Sequence, residues 1–171
     1  MRATARSGVA PNPTGILNNT SVNAVTNGGA GTALGTIKWS NLISAWSAIR
    51  VANGWAPTDA IMAPRTLTGF AALADSTGQP LRRPDLLANM RFRDTSAIPI
   101  NDTVGASVDC SEMFVGDFAR SMVFGVREVL TVIRSIEVKA TSGLITFVCH
   151  SRMDVGITYP ACLAKITGIR P

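Results

Sequence analysis

Cys149-His150 sets a thiol beside the chain's single histidine, and a thiolate next to an imidazole has the makings of a nucleophile. The run around the pair, Leu144 to about Ile157, is strand-like, and adjacent residues of a strand point to opposite faces. Thiol and imidazole are therefore expected to diverge, leaving an ordinary strand dipeptide. Glu112, Asp117 and Glu128 would be the carboxylates for general acid–base work. Each flanks an expected turn, where acids are simply solvated. The three cysteines, Cys110, Cys149 and Cys162, share no C-x-x-C spacing, so buried free thiols are expected rather than a zinc site or a disulfide framework. No H-E-x-x-H or G-x-S-x-G run occurs. The glycine-rich GGAGTALG, residues 28–35, lacks the Lys-Ser/Thr of a phosphate-binding loop and has no strand before it. The expected inventory is thus no catalytic, cofactor-binding or metal residue, and no enzyme.

Binding is the other chemistry to weigh. Lysine and arginine number 16 against 11 acids, a net charge of +5, and the densest basic cluster is Arg82, Arg83, Arg91 and Arg93 around Phe92. Arginines interleaved with an aromatic suit a nucleic-acid backbone, so a small basic nucleic-acid-binding module is one reading. Pro84 and Asp85 interrupt the cluster, which favours a solvated or subunit-contacting loop. At 171 residues, 46% of them hydrophobic, the chain can bury a real core. No stretch approaches the roughly eighteen apolar residues of a membrane span. The start, with two arginines but no apolar run, predicts no secretion signal and synthesis in the cytoplasm.

The elements that would carry these residues can be read from periodicity and breakers. The first 35 residues, rich in Gly, Asn, Thr, Pro and Ala around a Gly15-Ile16-Leu17 kernel, predict an extended arm or long loop. Ser40 is placed as the N-cap of a helix over about 41–52, with Leu42, Ile43, Trp46 and Ile49 at helical spacing and Asn53-Gly54 as its stop. Ala60 to Ala63 predicts a short buried strand. Pro64 then starts a second helix with Leu67, Phe70, Ala71 and Ala74 inward, and Asp75 to Gly78 predicts a tight turn. Residues 81–109 predict a surface excursion with short extended pieces such as Ala97 to Ile100. Beyond it the period changes to two: Glu112–Val115, Ser121–Val126 and Leu130–Ile136 read as strands, with turns at Gly116-Asp117 and Arg127-Glu128. A last strand, Leu144 to Ile157, precedes Tyr159-Pro160 and an apolar tail, Ala161 to Ile169. Trp46, Phe70, Val115, Phe124 and Phe147 are the expected buried anchors. Helices first and strands late predict an α+β fold.

Several short pieces add a more specific indication. Asn12-Pro13-Thr14-Gly15-Ile16-Leu17-Asn18 comes first, followed by the helix with Trp46 and by Ile61-Met62-Ala63-Pro64-Arg65-Thr66. Next are the Asp75-to-Leu81 turn, Ala97-Ile98-Pro99 and Phe114-Val115-Gly116-Asp117-Phe118. Arg152-x-Asp154 running into Tyr159-Pro160-Ala161 closes the series. Taken in this order, and covering the chain from about residue 8, they resemble the C-terminal half of tailed-bacteriophage major capsid proteins of the Hong Kong 97 type. The resemblance implies an α+β capsid fold: an axial-domain mixed sheet flanked by helices, with a partial peripheral domain. It implies residues 1–19 as N-terminal arm or remnant of the peripheral domain, 20–135 as the axial domain that builds a capsomer hub, and 136–171 as C-terminal strand and tail of the peripheral domain. It implies homo-oligomers (pentamers and hexamers), a place in the virion, at most non-specific contact with packaged DNA, and no membrane or small-molecule partner. The family's N-terminal arm, extended loop and long helix find no counterpart, so the expectation is a truncated C-terminal portion, cut from a longer protein or encoded by a truncated prophage gene. Some relatives cross-link through an isopeptide bond from a loop lysine to an asparagine, assisted by a glutamate. The resemblance sets Gly143 at the asparagine position and His150 at the glutamate position, so no such bond is expected.

Overall fold

The computed structural model describes residues 15–27, 37–135 and 139–170. The glycine-rich GGAGTALG run, most of the N-terminal arm and residues 136–138 lie outside them. Among the described residues, eight strands form two sheets, with helices packed on the larger: a mixed α+β architecture, as expected.

The larger sheet is centred on β5 (Ser107–Gly116), with β2 (Asp59–Met62) antiparallel on one side and β8 (Leu163–Ile169) antiparallel on the other. Outside β2 lies β3 (Arg91–Asp94), and outside β8 lies β1 (Asn23–Thr26), each parallel to its neighbour, while the short β4 (Asp102–Val104) pairs with β5. Both faces of this sheet are covered. On one, Met113, Val115, Ala60, Met62, Ala164 and Ile166 pack under α1 (Trp39–Val51) and α2 (Pro64–Ala71), meeting Leu42, Ala45, Ile49 and Phe70. On the other, Phe114 and Leu163 meet Ile16, Val22 and Ile98. Two-sided cover explains why every residue from Cys110 to Asp117 is buried rather than every second one.

The helix ends follow local chemistry, with one correction. The N-cap of α1 is Lys38, extended and without a side-chain cap bond, so Ser40 lies inside the helix and not at its cap. Trp39 is drawn into the first turn because its ring packs 4.9 Å from Phe70 and 6.1 Å from Phe92. At the other end Asn53 adopts φ 58, Gly54 N donates to Ile49 O (2.8 Å) and Asn53 N to Arg50 O (3.2 Å), a Schellman stop with asparagine in the left-handed position. Pro64 opens α2 as expected, and Phe70 is its buried anchor; Ala71 and Ala74 are exposed instead of inward. In the Asp75–Gly78 turn, the Asp75 carboxylate accepts from Thr77 N (2.8 Å), Thr77 Oγ1 (2.6 Å) and Gln79 N (3.0 Å), and Gly78 has φ 82.

Four strand expectations change. The extended piece between 81 and 109 is Arg91–Asp94, not Ala97–Ile100, because β2 offers a free edge there and Leu87 and Met90 are buried beneath it. The segment before residue 35 contains β1, and the Ala161–Ile169 "tail" holds β8, a central strand. The expected turn at Arg127-Glu128 is absent. A single 14-residue strand, β6 (Met122–Ser135), runs through it and pairs with β7 (Thr146–Ile157) as a separate two-stranded sheet. Phe124 and Phe147 lie on this hairpin and are exposed, 56% and 62%, not buried. Only at its root, where Met122 and Ile157 pack against the body's second core cluster, is the hairpin covered among the described residues, so aromatic content farther out did not translate into burial. Trp46 is half-buried, while Phe70 and Val115 are in the core.

Sheet pairing does not follow a boundary at residue 135. The chain leaves the large sheet after Gly116, makes α3 (Phe118–Ser121) and the β6–β7 hairpin, and returns through a short 3-10 turn (Pro160–Cys162) to β8. The two parts are called body and arm below.

Candidate assembly surfaces

The arm presents two different faces. Paired residues of antiparallel strands share a face, so Met122, Phe124 and Val126 lie with Ile157, Val155 and Met153, and Val132 and Arg134 continue that face with Cys149 and Phe147. It is nearly all apolar. The opposite face carries Glu128 across from Arg152 and Thr131 across from His150 at its centre, with Val123, and the Ile133–Val148 pair, exposed toward its ends. The pairing slips between Val126 and Glu128 and again between Glu128 and Thr131, so β6 has one more residue than β7 at each step. Those extra residues twist the strand while the alternation along β7 stays intact. A cleft of about 420 Å³ opens at this irregularity, lined by residues including Val126, Arg127, Arg152 and Met153.

Cys149 and His150 occupy opposite faces, as the strand reading required: Cys149 is exposed beside Val132, and His150 is half-buried beside Thr131. His150 Nε2 lies 3.5 Å from Glu128 Oε1 and Arg152 Nε 3.7 Å from Glu128 Oε2, and Thr131 Oγ1 donates to the same carboxylate. Glu128 is therefore a strand-centre acid with three neighbours, not a solvated turn residue. Glu112 and Asp117 are buried, also against expectation. Glu112 sits in β5, and Asp117 caps α3, accepting from Arg120 N at 3.3 Å. The three carboxylates lie on three different elements. Among the described residues no three of His, Cys, Asp and Glu come together as a metal site. All three cysteines are free thiols; Cys110 and Cys162 are buried as expected, but Cys149 is exposed on the arm rather than buried.

The basic cluster is mostly engaged with the body. Asp59, at the start of β2, pairs with Arg91 in the parallel register, and its carboxylate receives Arg93 Nε at 2.8 Å, Arg91 Nη2 at 3.0 Å and Thr58 Oγ1 at 2.8 Å. Burial pushes the Asp59 carboxyl up, and these three donors outweigh it, holding the group below its ordinary range. Phe92, between the two arginines, faces the other way into Trp39 and Phe70. Arg83 stacks 4.3 Å over the Phe92 ring and donates to Leu87 O and Met90 O, closing the 3-10 turn Asp85–Leu87. Three of the four arginines thus hold the β2–β3 corner together, and Arg82 stays exposed. The residues that sequence reasoning missed are here: Asp59 gave no signal of its own, and only the parallel register brings it to residues 91 and 93. Among the described residues no helix is long and apolar enough to cross a membrane.

A double-covered mixed sheet with an amphipathic two-stranded arm is a fold found in shell-forming proteins. The capsid of an empty GTA particle, computed with C5 symmetry, superposes with a TM-score of 0.69 at 17% identity, covering 99% of this chain and 60% of that one. The capsid of Myoviridae phage XM1 gives 0.67 at 13% identity, covering 98% and 59%. The holo-SrpI encapsulin of Synechococcus elongatus PCC 7942 gives 0.61 at 14%, covering 91% and 56%. At such identities the likeness is one of fold. The chain spans about 60% of the length of the capsid chains it matches. The chain belongs to the phage capsid family, whose sequence model matches residues 4–168. No curated protein matches it.

Proposed function

We propose that this chain is a structural, non-catalytic subunit of a phage-type capsid that acts by self-association. In this reading the body serves as the axial domain at a capsomer hub, in pentamers and hexamers. The arm is the chain's contribution to the peripheral domain that links capsomers. The expected division at residue 135 is thereby replaced by one that follows the sheets, with β8 counted to the hub. The chain would be made in the host cytoplasm, reside in the virion shell and touch packaged DNA at most non-specifically.

The observation that carries the reading is the arm: an antiparallel ribbon with one nearly all-apolar face and further exposed apolar residues on the other, attached to a body with a closed core of its own. Antiparallel sheets alternate in this way when one face is to be covered, and a two-stranded ribbon alone is only marginally stable in water. The test is light scattering after size exclusion across a concentration series. Weak, concentration-dependent small oligomers are expected, and Phe124→Asp with Phe147→Asp should abolish them without unfolding the body. A strictly monomeric chain at every concentration, or salt-dependent DNA binding at physiological ionic strength, would overturn the proposal.

A further inference from the structure

The arm joins the body through two crossings, outward over Asp117–Ser121 and back over Thr158–Cys162. They are bonded to each other: Ser121 O accepts from Thr158 N (2.9 Å), Thr158 Oγ1 (3.2 Å) and Tyr159 N (3.4 Å). Each crossing also sends one side chain to the same indole. Trp55 stands in the body's loop between α1 and β2, between the Gly54 helix stop and Thr58, whose N–H donates to Gly116 O at 3.3 Å. From the outward crossing, the Arg120 guanidinium lies 5.7 Å from the Trp55 ring centroid. From the return crossing, the Tyr159 ring meets Trp55 edge-on, 5.2 Å between centroids at 71°. Arg120 is steadied from behind by the nearly buried Asp117 carboxylate, at 3.5 Å.

We propose that Trp55, Arg120 and Tyr159 form a clasp that sets the angle of the arm to the body. The geometry favours this over simple surface packing because the two ligands of the indole come from opposite directions of the chain, one on each strand connection. A swing of the arm about its root must slide or break one contact or both. Cation–π and edge-to-face contacts are directional and individually modest, and all three residues are solvent-exposed, Trp55 41% and Tyr159 54%. Such a clasp holds one angle in the free chain and yields when another molecule bears on the arm. It is a property of the single chain and stands apart from the capsid reading.

Two spin labels test it in the full chain. Cys149 is exposed on the arm, whereas Cys110 and Cys162 are buried, 0% and 5% exposed. A second label goes on Ser47→Cys, on the exposed side of α1. Pulsed-EPR distances should form one narrow distribution. Trp55→Ala should broaden it and shift its mean, Arg120→Ala and Tyr159→Ala should each broaden it partly, and Tyr159→Phe should leave it unchanged because the ring makes the contact. A Trp55→Ala distribution that superposes on that of the unsubstituted chain, with unchanged circular dichroism, overturns the clasp. Should Trp55→Ala not fold, an unchanged distribution in the Arg120→Ala/Tyr159→Ala double variant overturns it equally.

Discussion

β5 in the body and β6 in the arm are built from similar residues, alternating apolar side chains with β-branched and aromatic members, and meet opposite fates. In β5, from Cys110 to Gly116, the side chains of both faces are buried, one set under α1 and α2 and the other under the Gly15–Val22 segment and Ile98. In β6, Val123, Phe124, Val126, Val129, Leu130, Val132 and Ile133 are all exposed. Strand-forming composition reports on the backbone's local preference. Burial needs a second layer, which β5 has and which β6, among the described residues, lacks beyond Met122 at its root.

The contrast is broken most directly by cutting aromatics in the two parts. Phe70→Ala should cost about 3–5 kcal/mol, since it empties the space between Trp39, Phe92 and the sheet. At about 2–4 °C per kcal/mol for a chain of this size, the melting temperature should fall by on the order of 10 °C. Phe124→Ala and Phe147→Ala should each stay within about 0.5 kcal/mol in the dilute single chain. Equal losses by calorimetry at the three sites would mean that the arm has a buried face after all.

The β2–β3 corner gives a smaller effect with a pH signature. Asp59→Ala should cost about 1–3 kcal/mol, because a nearly buried acceptor with three donors is removed. The folded carboxyl lies below its unfolded value, so its stabilisation is fully present above the unfolded pKa of about 4 and is lost as pH falls through the lower folded value. Urea melts from neutral pH downward should show an acid limb that flattens in Asp59→Asn. An identical limb in that variant would assign the acid sensitivity elsewhere.

At the junction of the two parts, Asp117→Ala removes the cap of α3 and should cost about 1 kcal/mol. Hydrogen exchange should then rise at the arm's root, around Ser121 and Thr158, and remain unchanged at β5. The smallest expected effect is none. Gly143 has no carboxamide and sits exposed at φ 64 after the Ala140–Ser142 turn. Denaturing gels of assembled particles should accordingly show one monomer band. A covalent ladder mapped by mass spectrometry to residues 139–146 would refute this.

Much of the fold was legible locally. Pro64, Asn53-Gly54 and Asp75–Gly78 act through their own backbone preferences, and each is where the sequence put it. The elements that failed are those decided at a distance. Leu163–Ile169 reads as an apolar tail until β5 and β1 flank it. Arg127-Glu128 resembles a turn, but pairing along β7 makes it an irregularity within one strand, with Glu128 held by His150, Arg152 and Thr131. The arginine cluster read as a solvated or subunit-contacting loop, with nucleic-acid binding as the alternative, because a sequence cannot show that Asp59, 32 and 34 residues away, pairs with two of its members.

By itself, the sequence determined the α+β class, the stop of α1 and the Asp75–Gly78 turn, the strand character of residues 112–115, 122–126, 130–135 and 146–157, and the order of pieces that resembles the capsid family. Those depend on φ preferences, capping and alternation, which are short-range. Tertiary structure alone decided which strands became the body and which the arm, that the carboxylates stand apart, and that Arg120 and Tyr159 meet on Trp55. The physical reason is that long-range strand pairing and two-sided cover are chosen by the whole chain's burial, and no window of a few residues contains that choice.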